Sequence, residues 1–192
     1  MSSMDMIFAQ QTFRSVLMAM ATPGTLHRLP AVQESRMNPD LLTAASMALC
    51  QTLLDVHTSI AVVDMPAGTA EWLRQCCWCK PAPVTEAAFV LGDGATWNWG
   101  RTDLPVGTEE EPELGATLIL ELASLDKGPA LRLRGPGIAD SQIIAPALTS
   151  DFLSFWLANH ALYPRGIDLI LCCGSTFMAL PRSVEISAFE EA

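Results

Sequence analysis

The stretch that decides the fold class covers residues 164–180 and reads PRGIDLILCCGSTFMAL. Residues 167–173 are almost continuously apolar, which is typical of a strand that is buried on both faces of a sheet. Gly174 and Ser175 form a turn signal, and a second apolar run follows over residues 176–180. The stretch therefore predicts two strands that are joined as a β-hairpin within a larger sheet.

Working outward from this hairpin, apolar residues at helical spacing predict helices at residues 7–20, 39–54, 68–78 and 149–162. The first helix carries an apolar stripe formed by Phe13, Val16, Leu17 and Met20. For the second helix, Asn38 is the expected N-cap and Pro39 the expected first-turn residue, since both residue types are favoured there.

Further strands are predicted from short apolar runs at residues 59–63, 87–91, 116–122 and 130–134. The last two flank a turn signal at residues 126–128 and are expected to form a second β-hairpin with one buried face. Residues 97–115 show little periodicity and are expected to form a surface excursion that Trp97 and Trp99 anchor. Strands and hairpins mixed with helices favour an α/β fold, a mixed sheet flanked by helices, as a single domain over residues 1–192.

The composition excludes several classes of protein. Of the 192 residues, 50% are hydrophobic, the mean hydropathy is +0.29 and only 17% are charged. Disorder, collagen and coiled coil are therefore excluded, and the low charge suggests that partners cover part of the surface. The net charge of −10 excludes nucleic acid and anionic lipid as primary partners, because both demand a basic surface.

The amino-terminal sequence and the cysteines point to the cytoplasm. No Lys or Arg precedes Arg14, and no run approaches the roughly 18 apolar residues of a membrane span, so neither a signal peptide nor a span is expected. The six cysteines are expected to be reduced thiols. Cys76, Cys77 and Cys79 cluster, and the Cys-x-x-Cys spacing matches half of a zinc or redox site. The second half is missing, so buried thiols are the preferred interpretation and no metal is expected.

Two arginines form the best candidate for a binding site. Arg132 and Arg134 are two residues apart on a predicted strand, so both side chains project from one face. Gly135 and Gly137 follow at once, and a glycine turn beside two guanidinium groups is suited to a phosphate or phosphonate anion. The alternative is a solvated strand face followed by an ordinary turn.

Candidates for catalysis are few. Asp168 begins the most apolar strand and needs a partner, which Arg165 or Arg182 could supply, so a structural salt bridge is preferred over a catalytic role. Asp55 ends a helix, where a cap or loop hydrogen bond is the preferred use. The three histidines belong to no recognisable catalytic motif, and the catalytic residues stay unassigned.

The chain resembles the H subunits (PhnH) of the bacterial carbon–phosphorus lyase system over nearly its whole length. The motifs that carry this resemblance are, in chain order, Phe13-Arg14, Met20-x-x-Pro23-Gly24, Leu54-Asp55, residues 115–120, 131–139, 144–146 and 164–171, and Pro181-Arg182. The cysteine cluster and the acidic run at residues 109–113 lie outside the family pattern.

The resemblance implies a cytoplasmic subunit that needs G, I and L partners to transfer the ribose-triphosphate group of ATP to methylphosphonate, with release of adenine. It implies a fold similar to the large domain of pyridoxal-phosphate-dependent transferases without that cofactor. It also implies a homodimer that joins the G, I and J subunits through the I subunit. We expect an assembly role, with an accessory anion site at the arginine pair.

Two competing classes remain open at this point. A free-standing enzyme or binding protein would act on a phosphorylated small molecule, using Asp168 or Asp55 with an arginine clamp. A zinc or redox module would be built on Cys76 and Cys79.

Overall fold

The computed structural model describes residues 3–29, 38 and 40–189. The α-helices in this part of the chain are α1 (Ser3–Ala21), α2 (Ala44–Leu53), α3 (Thr69–Cys77) and α4 (Phe152–His160). The strands are β1 (His27–Arg28), β2 (Ser59–Val63), β3 (Lys80–Pro81), β4 (Phe89–Asp93), β5 (Thr117–Glu121), β6 (Leu131–Arg134), β7 (Gln142–Ile144), β8 (Asp168–Cys173), β9 (Thr176–Leu180) and β10 (Glu185–Ala188). Among the described residues, two short 3₁₀ helices cover Val84–Glu86 and Pro112–Leu114. Within the described residues, no helix has the length and apolar character to cross a membrane.

A seven-stranded mixed sheet forms the centre of the protein, in the order β1-β9-β8-β5-β4-β2-β3. Strands β3, β2, β4, β5 and β8 run parallel, and β9 runs antiparallel to both β8 and β1. The β8–β9 hairpin is confirmed, with Cys173 opposite Thr176 across the Gly174-Ser175 turn. The predicted α/β class with a mixed sheet is also confirmed.

The central sheet is covered on both faces because its middle strands are apolar on both. One face of β5 and β8 presents Leu118, Leu120, Leu169 and Leu171 to a core. This core is completed by α4 and by a second, three-stranded sheet with the order β10-β6-β7. The opposite face presents Ile119, Ile170 and Cys172 to a core that α1, α2 and α3 complete. This arrangement is the layered packing that a doubly buried strand requires.

The predicted hairpin between residues 116–122 and 130–134 is wrong. Strand β5 lies in the central sheet between β4 and β8, whereas β6 is the middle strand of a separate three-stranded sheet, β10-β6-β7. The reason is burial: the middle of β5 is buried on both faces, while β6 buries only alternate side chains. The loop between them connects the two sheets, and within it the Gly128 amide donates to the carbonyl of Ala145.

Helix α2 starts later than predicted, because a tertiary contact sets its first residue. Thr43 is the N-cap: its hydroxyl accepts from the amide of Ser46, and its own amide donates to Glu121 Oε1 at 2.7 Å. Asn38 instead accepts, through its carbonyl, in the turn that precedes the helix. Pro39 lies outside the described residues.

Helix α1 forms as predicted, but its buried face is rotated from the predicted stripe and keeps only Val16 and the partly buried Met20 from it. Phe13 and Leu17 of the predicted stripe are 48% and 53% exposed, while Val16, Ala19 and Thr12 are buried. The helix carries apolar residues on two faces, so spacing alone did not identify the buried one. The other predicted helices are present with ends trimmed by one to three residues.

Strand β4 and residues 97–115 differ little from what the sequence predicts. Strand β4 extends through Gly92 and Asp93, two residues further than predicted, because both pair with β5. Residues 97–115 form the expected excursion, and Trp97 and Trp99 are buried at its start.

The turn before β8 is fixed by Asn159 of α4. The Asn159 side chain donates to the carbonyl of Ile167 at 3.0 Å and accepts from its amide at 2.8 Å. Gly166 has φ +121°, and a Cβ there would lie 2.8 Å from Asn159 Oδ1. Glycine is therefore required at this position, because the Asn159 side-chain amide lies so close to the Gly166 backbone that a Cβ has no room.

Replacing Asn159 with alanine should lower the free energy of unfolding by about 2–4 kcal/mol, because it leaves the buried N–H and C=O of Ile167 without partners. Denaturant titration measures this change. Leu157→Ala on the same helix is the control, since Leu157 is 60% exposed and should shift stability by less than about 0.5 kcal/mol. Equal stability of the two variants would contradict the role given to Asn159.

Candidate functional site

Strand β6 places Arg132 and Arg134 on one face and Leu131 and Leu133 on the other. The two leucines are buried, Arg132 is half-buried and Arg134 is exposed. The guanidinium carbon of Arg132 lies 5.0 Å from the centroid of the Phe189 ring. The alternation thus separates a core face from a basic face, as the sequence predicts.

The basic face opens onto a groove between β6, β10 and α4. The antiparallel register sets Glu185 opposite Arg134 and Ser187 opposite Arg132. His160, at the end of α4, completes the groove, which has a volume of about 220 Å³. Its Nδ1 lies 3.0 Å from the Arg182 carbonyl, and its Nε2 lies 4.0 Å from Glu185 Oε1. The sequence did not indicate that His160 and Glu185 belong to this groove, because His160 lies 28 residues from Arg132 and Glu185 lies 51 residues from Arg134.

The glycine turn after β6 packs against the end of α1. Gly135 and Gly137 have φ values of +136° and +82°, and a Cβ at Gly137 would lie 2.1 Å from the carbonyl oxygen of Ala21. Glycine is needed here for close approach of two backbone segments. A part for these two glycines in anion binding stays a prediction.

Asp168 and Arg182 form a tightly bonded pair at the start of β8. Asp168 Oδ1 accepts from the Arg182 backbone amide at 2.8 Å and from Nε at 3.2 Å, and Oδ2 accepts from Nη2 at 2.6 Å. Nη1 of Arg182 donates to the Pro112 carbonyl at 2.6 Å, which fastens the excursion to the sheet. The geometry is that of a structural salt bridge. Arg165, the other expected partner, is half-buried in the preceding turn.

Asp55 stabilises the loop after α2. Its Oδ1 accepts from the amides of His57 at 2.8 Å and Thr58 at 3.1 Å, the hydrogen bonds of an Asx turn. This is the loop role expected for an aspartate at a helix end.

Glu121 is a positioning residue that the sequence reasoning missed. It ends the central strand β5 and accepts from the Thr43 amide, so it holds the first turn of α2 at the carboxyl end of the parallel strands. A single carboxylate that closes the apolar run Leu118-Ile119-Leu120 was the available signal.

The cysteines are mainly part of the core. Cys50, Cys77, Cys79 and Cys172 are buried, Cys173 is half-buried and Cys76 is exposed, and no disulfide joins any of these six described residues. Burial raises the pKa of the Cys77 thiol to about 12 and the pKa of the Cys50 thiol well above its usual range. Among the described residues, no three His, Cys, Asp or Glu side chains are grouped as metal ligands.

Together, the fold and site define an α/β domain with a basic groove beside its second sheet and with aspartates engaged in structural contacts. A family model for the bacterial phosphonate metabolism protein PhnH matches residues 3–187. The chain belongs to the PhnH family, as the resemblance in the sequence suggested.

Two relatives are similar over nearly the full length. One is the alpha-D-ribose 1-methylphosphonate 5-triphosphate synthase subunit PhnH of Rhizobium meliloti (strain 1021), 33% identical over 190 residues, with 95% of this chain and 92% of the relative covered. Another is the putative C-P lyase subunit protein HtxG of Stutzerimonas stutzeri, 31% identical over 182 residues, with 93% of this chain and 85% of the relative covered.

Asp168→Asn should lower the free energy of unfolding by about 2–3 kcal/mol, because it leaves the Arg182 guanidinium, 12% exposed, without its counter-charge. Thermal or denaturant unfolding measures the loss. Asp103→Asn, which breaks the more exposed pair with Arg101, is the matched control and should have a clearly smaller effect. A smaller loss for Asp168→Asn than for the control would refute the structural assignment.

Thiol labelling of the native protein should modify Cys76 rapidly and Cys50, Cys77 and Cys172 only after unfolding, because burial keeps these three thiols protonated and inaccessible. Mass spectrometry of the labelled peptides identifies the sites. Metal analysis of protein purified without chelator should find no stoichiometric zinc. Zinc at one equivalent, with Cys76 and Cys79 protected by it from labelling, would restore the zinc-module interpretation.

Proposed function

We propose that this chain is a non-catalytic subunit of the carbon–phosphorus lyase system in phosphonate catabolism. It would work in the cytoplasm with G, I and L subunits, which together transfer the ribose-triphosphate group of ATP to methylphosphonate and release adenine. Support comes from membership of the PhnH family and from relatives named as subunits of a synthase and of a C-P lyase.

The observation that carries the proposal is an exposed apolar face of α1. Its large side chains that are about half exposed or more are Met6, Ile7, Phe13, Leu17 and Met18. By helical spacing, Met6, Phe13 and Leu17 lie on one side of α1, and Ile7 and Met18 lie together further round the helix. Exposed apolar side chains grouped in this way mark a contact site for another protein, because it costs free energy to leave them in water. The proposed contacts are a second copy in the isolated homodimer and the I subunit in the complex with G, I and J.

The contacts of the two aspartates favour a non-catalytic role. Both oxygens of Asp168 are occupied by Arg182, and Asp55 is occupied by backbone amides of its own loop. A general acid or base needs an accessible oxygen within reach of the substrate proton. This argues against an enzyme that uses either aspartate with an arginine clamp.

The relation to pyridoxal-phosphate-dependent transferases is part of the proposal. Its support is the seven-stranded mixed sheet with β9 antiparallel to both of its neighbours. We expect no pyridoxal phosphate, because Lys80 and Lys127 are both exposed, whereas a Schiff-base lysine is activated by a desolvated site. Superposition of an experimental structure on such a domain tests this relation.

Size-exclusion chromatography with light scattering tests the subunit role. The chain alone should elute as a dimer, and after co-expression with G, I and J subunits it should elute with them as one stable species. Partners that assemble completely while this chain elutes separately would overturn the proposal.

Leu17→Glu should abolish co-elution or dimer formation, because it places a charge in the apolar face of α1. The variant should stay folded, with unfolding shifted by less than about 0.5 kcal/mol, since Leu17 is 53% exposed. Val56→Glu adds the same charge at a 51% exposed apolar residue outside α1 and should assemble normally. Normal assembly of Leu17→Glu would exclude this face as the contact.

A further inference from the structure

Neither arginine on β6 forms a salt bridge with a carboxylate in the described part of the chain, although Glu185 lies opposite Arg134 in the register. Arg74, Arg101 and Arg182 each pair with a carboxylate there, but neither Arg132 nor Arg134 does. The chain has 21 acidic residues against 11 basic ones, so acidic partners are plentiful. Two adjacent guanidinium groups left facing one groove point to a negative charge that comes from outside.

Arg132 is held in position by contacts other than ion pairs. Its guanidinium lies over the Phe189 ring at 5.0 Å, and the residue as a whole is half-buried on the strand. Stacking on an aromatic ring fixes the plane of a guanidinium while leaving its N–H donors available. Less side-chain entropy is then lost when an anion binds.

The other groups of the groove leave its net charge positive. The imidazole of His160 is anchored by the Nδ1 contact with the Arg182 carbonyl, so that Nε2 is turned towards Glu185. Glu185 is the one described carboxylate among the groove residues, and its side chain is 70% exposed. Ser187 is paired with Arg132 in the register and adds a hydroxyl donor. Two fixed positive charges therefore face one solvated negative charge.

We propose that this groove binds a phosphate-like oxyanion through Arg132 and Arg134. The planar guanidinium fork matches two oxygens of such a group, and charge-assisted hydrogen bonds of this kind are among the strongest in proteins. The volume of about 220 Å³ lies below the roughly 300–1,000 Å³ of sites that enclose drug-sized ligands. The groove thus takes a small free anion or the phosphoryl head of a larger molecule. This site is separate from the exposed face of α1 and does not depend on the subunit role.

Isothermal titration of the isolated chain with inorganic phosphate at low ionic strength tests the proposal, with ATP as a second titrant. Arg132→Gln and Arg134→Gln should each weaken binding about tenfold, because each removes charged hydrogen-bond donors. Glu185→Gln should strengthen binding several-fold, because it removes the repelling carboxylate. Arg28→Gln, which changes the net charge equally at an exposed position on β1, should change affinity by less than about twofold.

Tighter binding of phosphate than of ATP would identify a free small anion as the ligand. Tighter binding of ATP, weakened by the same Arg132→Gln and Arg134→Gln substitutions, would identify the phosphoryl head of a larger molecule. Absence of binding to both titrants would overturn the proposal, as would equal weakening in Arg28→Gln or unchanged affinity in the Arg132→Gln/Arg134→Gln double variant. All variants should unfold like the unmodified protein, because the altered side chains face away from the core. Co-elution with partner subunits is scored separately, so failure of the subunit role leaves the phosphate result interpretable.

Discussion

Burial of the central strands on both faces is the constraint on which the rest of the structure depends. Strands β5 and β8 present leucines to one core and isoleucines to the other, so neither face tolerates water. Helices α1, α2 and α3 cover one side, while α4 and the small antiparallel sheet cover the other. The groove at Arg132 and Arg134 exists because this second sheet must turn its leucine face inward, which leaves its arginine face against the end of α4.

Polar contacts at the start of β8 fix the position of α4. Asn159 binds both backbone groups of Ile167, and Arg182 joins Asp168 to the carbonyl of Pro112. These contacts set the end of α4, and with it His160, beside β10. Asp168, a catalytic candidate in the sequence, is thus engaged in contacts that hold the elements around the groove.

Helix α1 shows how an interaction surface follows from packing. The face with Val16 and Ala19 is buried in the core that α1 shares with α2. The other apolar side chains of α1 are exposed, and no described element covers them. The low fraction of charged residues already suggested that partners cover part of the surface. The location of that surface required the structure, because a helix with two apolar faces has no unique inward direction.

The sequence by itself determined the elements whose signals are local: the β8–β9 hairpin, the doubly buried strand and the common face of Arg132 and Arg134. Side-chain period and turn chemistry act over a few residues, so they can be read directly. Only the tertiary structure decided that β6 pairs with β10 instead of β5, that Thr43 and Glu121 begin α2, and that Arg182, rather than Arg165, binds Asp168. Each of these contacts joins residues that are 14 to 78 positions apart, where contact depends on how the layers pack and the local sequence carries no signal.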